Sequence, residues 1–247
     1  MAVVEKTIDL VGDETLSAFI ISRQVPEGYP VDLYDEAVKS LKGYALRGMR
    51  GIQSINFPYV TTLGGLAIMD CPDLVSVTLP LCTSFTGTGA MRECLKLENI
   101  DLPLLKTVSD YAFLGCTKLQ SISLPSLTSC GTGIFFGCTI LESVSLPKLV
   151  SVGNNSFYNC PSLTQIDLPS TKTIGSAIVN GSFALEVINI GPSIVSIHSS
   201  AFQYAPDGLV INLPVAEGVI ANAPWGAPNA VINYNTPYAG TVPIPEN

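Results

Sequence analysis

A proline recurs along most of this chain at nearly constant spacing. Pro58, Pro80, Pro103, Pro125, Pro147, Pro169, Pro192 and Pro214 are separated by 22, 23, 22, 22, 22, 23 and 22 residues. A second ruler agrees: Ala45, Ala67, Ala90, Ala112, Ile134, Ser156, Ile178 and Ala201 step by 22, 23, 22, 22, 22, 22 and 23. Eight tandem units of this length define a stacked array, because one such unit is too small to enclose a core of its own.

Within each unit six columns are apolar and are expected to turn inward. The first holds Leu46, Ile68, Met91, Phe113, Phe135, Phe157, Val179 and Phe202. The stretch Leu-x-x-Ile-x-Leu-Pro supplies three more, for example Leu119, Ile122 and Leu124, and the last two lie after the proline, for example Leu127 and Leu149, then Val108 and Val152. Ile-x-Leu has period two and reads as a short strand, which Pro ends because it has no N–H to donate to a ladder. Adjacent strands lie about 4.8 Å apart, so eight units predict a rod of roughly 35 to 40 Å. The Ala-Phe-x-x-Cys portion lacks β-branched residues and is expected to form a turn of helix.

The segments "AFLGCTKLQSISLPSLTSCG" and "SFYNCPSLTQIDLPSTKTIG" resemble the BspA-type leucine-rich repeat, whose pattern is Ala-Phe-x-x-Cys-x-x-Leu-x-x-Ile-x-Leu-Pro followed by Ile-Gly. The likeness runs from about Val38 to Val219, with Met49, Ser182 and Ala205 in place of the cysteine and Gly208 in place of a Leu. The resemblance implies a leucine-rich-repeat solenoid, β-rich with short helical turns (α/β), of eight repeats. The expected organisation is a non-repeat segment 1–37, the solenoid 38–219, and a C-terminal cap with a Pro-rich tail, 220–247.

Cys71, Cys94, Cys116, Cys138 and Cys160 share one inward column, and Cys82 and Cys130 replace Val, Leu or Ile in two others. Free Cys behaves as a small buried hydrophobe, so all seven are read as core. Thiols in a line at about 4.8 Å intervals cannot surround a zinc ion that needs four ligands at about 2.3 Å. An odd count and parallel Cβ vectors argue against a disulfide framework. No metal or other cofactor is expected.

Catalytic signals are weak. His198 is the only histidine, which removes His-based metal clusters, and in "SIHSSAF" it occupies a turn position with only serines beside it. The run "GTGIFFG" (131–137) lacks the Lys-Ser/Thr end of a phosphate loop and sits at a unit boundary, where Gly supplies the bend. Asp101 and Asp167 are three units apart, about 14 Å at strand spacing, too far for a glycosidase pair. A non-enzymatic protein is expected.

The residues between the inward Ile and Leu form the open face of the sheet and are the candidate binding surface: Ser54 and Asn56, Ser76 and Thr78, Asn99 and Asp101, Ser121 and Ser123, Ser143 and Ser145, Gln165 and Asp167, then Asn189 and Asn212, with Val187 and Val210 in the remaining places. The set lacks the Trp, Tyr and Arg that dominate interface hot spots, so it suits many weak contacts to a protein or surface glycan. With a net charge of −8 and no Lys or Arg after Lys172, there is no patch for neutralising phosphates, and nucleic acid is not an expected partner. The mean hydropathy is +0.40, but no run of about 18 apolar residues occurs, so membrane insertion is not expected.

In the first segment "KTIDLV" and "LSAFIIS" read as two strands of a hairpin across "GDET". This element is either a cap on the stack or an attachment module that pairs with another chain. At the other end "VAEGVIANAPWGAPNAVINY" holds the sole tryptophan, Trp225, and a strand over 230–234 placed to cover the open edge. The opening "MAVVEKTIDLVGDE" has no basic and apolar leader pattern, so as a native start it predicts synthesis in the cytoplasm without export. These readings combine into a non-catalytic structural or binding protein. The first expectation is a phage virion component, such as a fibre, decoration or host-attachment protein, that contacts virion proteins or a cell-surface receptor and forms a homo-oligomer. The alternative is a bacterial cell-surface adhesin for host protein or glycan.

Overall fold

Each repeat but the last contributes two short strands joined by a proline corner. The structure is a computed structural model and describes residues 7–8, 15–16, 31–34, 36 and 38–238. The Ile-x-Leu strands are β1 (Thr7–Ile8), β3 (Val31–Tyr34), β5 (Ile52–Asn56), β7 (Ser76–Thr78), β9 (Asn99–Asp101), β11 (Ser121–Ser123), β13 (Ser143–Ser145), β15 (Gln165–Leu168), β17 (Val187–Ile190), β19 (Val210–Asn212) and β20 (Val231–Asn233). Beyond the corner lie β2 (Thr15–Leu16), β4 (Ser40–Leu41), β6 (Thr62–Leu63), β8 (Ser84–Phe85), β10 (Thr107–Val108), β12 (Ser129–Cys130), β14 (Ser151–Val152), β16 (Thr173–Ile174) and β18 (Ser196–Ile197).

The second set forms one nine-stranded sheet from β2 to β18, and the first set divides into sheets of five, two and four strands. Pairing is parallel throughout, with equivalent residues of successive turns opposite each other, such as Ile122 opposite Val144 and Ile188 opposite Ile211. The inward columns are buried as predicted, apart from Ile100 and Val144, which are half-buried. They lie in β9 and β13, the strands beside the two breaks between sheets. Phe113, Phe135 and Phe157 stack along the axis with ring centroids 5.7 and 5.8 Å apart.

The expected helical turn is not there: no helix occurs among the described residues. In this side of each turn, alternate amides point in two directions. Ala45 and Arg47 donate within the turn, to Lys42 and Tyr44, while Tyr44, Leu46 and Gly48 donate to Gly65, Ala67 and Met69 of the next turn. Two columns take a left-handed backbone to allow this, one including Tyr44, Leu66, Gly89 and Tyr111, the other Gly48, Asp70, Glu93 and Gly115. A right-handed helix has no such residues, so stacking overrides the helical tendency of the Ala-Phe-x-x-Cys stretch. Close approach also fixes glycines: a Cβ on Gly153 would stand 2.0 Å from the Gly131 carbonyl oxygen of the turn before.

The N-terminal hairpin is corrected as well. β1 pairs in parallel with β3, and β2 with β4, so the two strands join different sheets instead of each other. Most of "GDET" and of the flanking runs lies outside the described residues, as does most of the proposed attachment segment. β3 continues into β5 with Leu33 opposite Ile55 and fully buried, so the ladder begins before residue 38. At the other end β20 falls inside the expected 230–234 strand and adds a parallel turn to β19. Trp225 is fully buried, edge-on to Phe202 at 6.1 Å, and its indole N–H donates to the Ala221 carbonyl at 2.7 Å.

Candidate binding face

Period-two alternation sends the residues on either side of each inward Ile or Val to the outside of the sheet. The two outward columns therefore form rows, interrupted between β9 and β11 and between β13 and β15. Ser54, Ser76 and Asn99 are direct neighbours, as are Asn56, Thr78 and Asp101. Ser121 and Ser123 lie opposite Ser143 and Ser145, and Gln165 and Asp167 opposite Val187 and Asn189, with Val210 and Asn212 next. Asn99, Asp101, Ser121, Ser123 and Ser143 are exposed, and they span the middle of the rod.

Toward the C-terminal end the row closes into a hydrogen-bonded ladder. Asn189 donates from Nδ2 to Asp167 Oδ1 at 2.7 Å, Asn212 to Asn189 Oδ1 at 2.8 Å, and Asn233 to Asn212 Oδ1 at 2.8 Å. Gln165 donates to both Asp167 oxygens, at 3.0 and 2.8 Å. Asn189 is only 7% exposed, and its amide donates to one neighbour and accepts from the other. Tyr238 lies near Asp167, and burial together with that negative charge pushes its phenol up to about 12. At the other end Ser54 bonds Asp32. Asp32 and Asn233 thus extend the face beyond the predicted set, and the signal for both was the parallel register of one further turn.

The cysteine column has a second role besides filling space. Cys71, Cys94, Cys116, Cys138 and Cys160 donate their thiols to the carbonyls of Leu46, Ile68, Met91, Phe113 and Phe135, at 3.0, 2.9, 3.3, 3.2 and 3.1 Å. Each bond ties a turn to the one before it. All seven cysteines are buried and unpaired by disulfides. Burial pushes the Cys82 thiol up to about 11 and the Cys160 thiol up to about 12, and raises Cys116, Cys130 and Cys138 in the same way. For Cys71 a bond to the Cys94 thiol raises it first and burial next. No cluster of three or more His, Cys, Asp or Glu able to hold a metal ion exists among the described residues.

His198 is exposed, and its Nδ1 accepts the Ser200 backbone N–H at 3.2 Å and lies 3.0 Å from Ser200 Oγ. These contacts reach back two residues and form a local turn. Among the described residues no helix is long and apolar enough to cross a membrane.

A parallel two-face coil with a leucine ladder and a repeating polar row defines the class of leucine-rich-repeat solenoids. The model of the BspA type leucine rich repeat region matches residues 33–104 and 84–207, and this chain belongs to that family. One solved structure agrees on the fold. A leucine-rich repeat protein of Bacteroides ovatus is 20% identical, with a TM-score of 0.51, over 81% of this chain and 60% of its own length. The chain thus spans less than two thirds of that relative. The leucine rich repeat protein of T. pallidum is 21% identical over 71% of this chain and 78% of its own, with a TM-score of 0.40. No curated protein matches.

Proposed function

We propose that this chain is a non-catalytic recognition scaffold that binds its partner along the outer polar face, through Asn99, Asp101, Ser121, Ser123 and Ser143. The observation that carries this reading is the repeated order of the face within each of its sheets. Side chains of equivalent positions repeat at the spacing of parallel strands from β5 to β9 and again from β11 to β13. Such a surface gains affinity from many small contacts and positions no nucleophile, base and orienting group together. Leucine-rich-repeat proteins generally mediate protein binding, which fits an attachment role, either in a virion or on a bacterial surface, with self-association into a homo-oligomer as part of the reading.

Labelled full-length protein is expected to bind a subset of arrayed matrix proteins and surface glycans. The variant Asn99→Lys with Ser121→Lys and Ser143→Lys is expected to lose that binding while keeping the wild-type circular dichroism. Equal binding by the variant, or no binding by the parent, overturns the assignment. Antibody detection in purified phage particles against bacterial envelope fractions separates the two settings, and light scattering after size exclusion reports the oligomeric state.

A further inference from the structure

We infer that the nine-stranded sheet carries a second binding surface, distinct from the polar face, that takes a linear anionic polysaccharide along the rod axis. From Pro58 to His198 each turn contributes a proline corner and the short strand after it. The charged residues in these seven stretches are Lys106, Lys148 and Lys172, and no Asp or Glu stands among them. All three lysines are exposed, and none forms an ion pair with a described residue. The nearest carboxylate in sequence, Asp110, accepts the Thr132 N–H at 2.7 Å and so is aimed at the backbone of the next turn.

The lysines fall on three of four consecutive turns, so they span about 14 Å along the axis at strand spacing. Lys106 and Lys172 share one column and Lys148 stands two residues before it, so the strip follows the direction a polymer would take across stacked strands. Beside it runs a row of hydroxyls in strict register: Thr62, Ser84, Thr107, Ser129, Ser151 and Thr173. Thr173 Oγ1 donates to Ser151 Oγ at 2.9 Å, whereas the exposed hydroxyls of Thr107 and Ser129 bond no described residue and stay available to sugar hydroxyls. The four-turn strip holding the lysines contains no Arg and no aromatic side chain, so it offers nothing on which a nucleic-acid base would stack. The chain as a whole carries −8, which repels polyanions in general.

The test is retention of the full chain on immobilised polygalacturonate and heparin, with neutral dextran and mixed-sequence double-stranded DNA as comparators. Retention is expected on at least one charged glycan at low salt, not on dextran, and weakening as salt rises, since about three ion pairs are involved. The variant Lys106→Gln with Lys148→Gln and Lys172→Gln should bind that glycan at least tenfold more weakly at unchanged melting temperature, and Lys118→Gln, outside the strip, should stay within twofold of the parent. The outer-face variant Asn99→Lys with Ser121→Lys and Ser143→Lys should lose its array partner and keep the glycan, which separates failure of this site from failure of the other. No retention of the parent, equal retention of the triple lysine variant, or DNA retained as strongly as the glycan overturns the proposal.

Discussion

Ser182 donates its hydroxyl to the Phe157 carbonyl oxygen at 2.6 Å, the place where a cysteine thiol makes the same bond in the five preceding turns. The serine also accepts the Cys160 N–H at 3.1 Å. A departure from the repeat in sequence therefore conserves its chemistry. What the column selects is a small side chain that carries a donor across to the previous turn.

Replacing Cys116 tests that requirement. Cys116→Ala removes both volume and donor and is expected to cost about 1–3 kcal/mol by urea denaturation. Cys116→Ser keeps the donor, worth about 0.5–1.5 kcal/mol net, and should be the milder of the two. Equal losses would mean that packing alone matters.

The buried thiols also predict an alkaline limit. The folded pKa values of Cys82 and Cys160 lie near 11 and 12, above the ordinary thiol value of 9.0. Above pH 9 the unfolded chain gives up protons that the folded chain retains, so folding stability falls as pH rises from about 9 toward 12. Below pH 9 these groups should leave stability flat. A thiol reagent added without reductant should react with seven thiols in the unfolded protein and with essentially none in the native protein.

Asn189→Asp places a second carboxylate beside Asp167 at a site 7% exposed. Like charges in contact away from water are unfavourable, so the melting temperature should drop at pH 7 and recover in part as the pair is protonated in acid. An unchanged melting temperature at pH 7 would show that the ladder does not tie these turns together.

Gly153→Ala forces a Cβ to within 2.0 Å of the Gly131 carbonyl oxygen, whereas the space around Gly208 is open at 4 Å. The first substitution should cost about 3 kcal/mol or more through backbone displacement. Gly208→Ala, strained only by its φ of 79°, should cost about 1 kcal/mol. Chemical denaturation of the two variants side by side checks the order.

The period, the inward columns and the outward rows were legible because all three are written in side-chain alternation, which stacking simply copies from turn to turn. The strands of the nine-stranded sheet were not, since two residues such as Thr107 and Val108 are too short to display any period. Nor was the left-handed backbone at Leu66 or Ala177, residues with no preference for it, because the neighbouring turn imposes it. The turn through Leu33 stayed hidden since Asp35 stands where later units have Phe57 or Leu79. The amide ladder joins residues such as Asn212 and Asn233 that are 21 positions apart, one short of the repeat. Rows of outward Asn could be read in the sequence, but not their bonding to one another.

Lys172 is the last Lys or Arg of the chain, and its peptide is held on both sides: its N–H donates to Val150 and its carbonyl accepts from Val195, each at 2.8 Å. A trypsin-like protease therefore finds no site within 173–247, and must prise two turns apart to cut after Lys172. Such digestion makes no cut within 173–247, a stretch that contains β17, β19 and β20 with the Asn189–Asn212–Asn233 ladder. In an environment rich in such enzymes the part of the molecule that persists is set by where its cations stop.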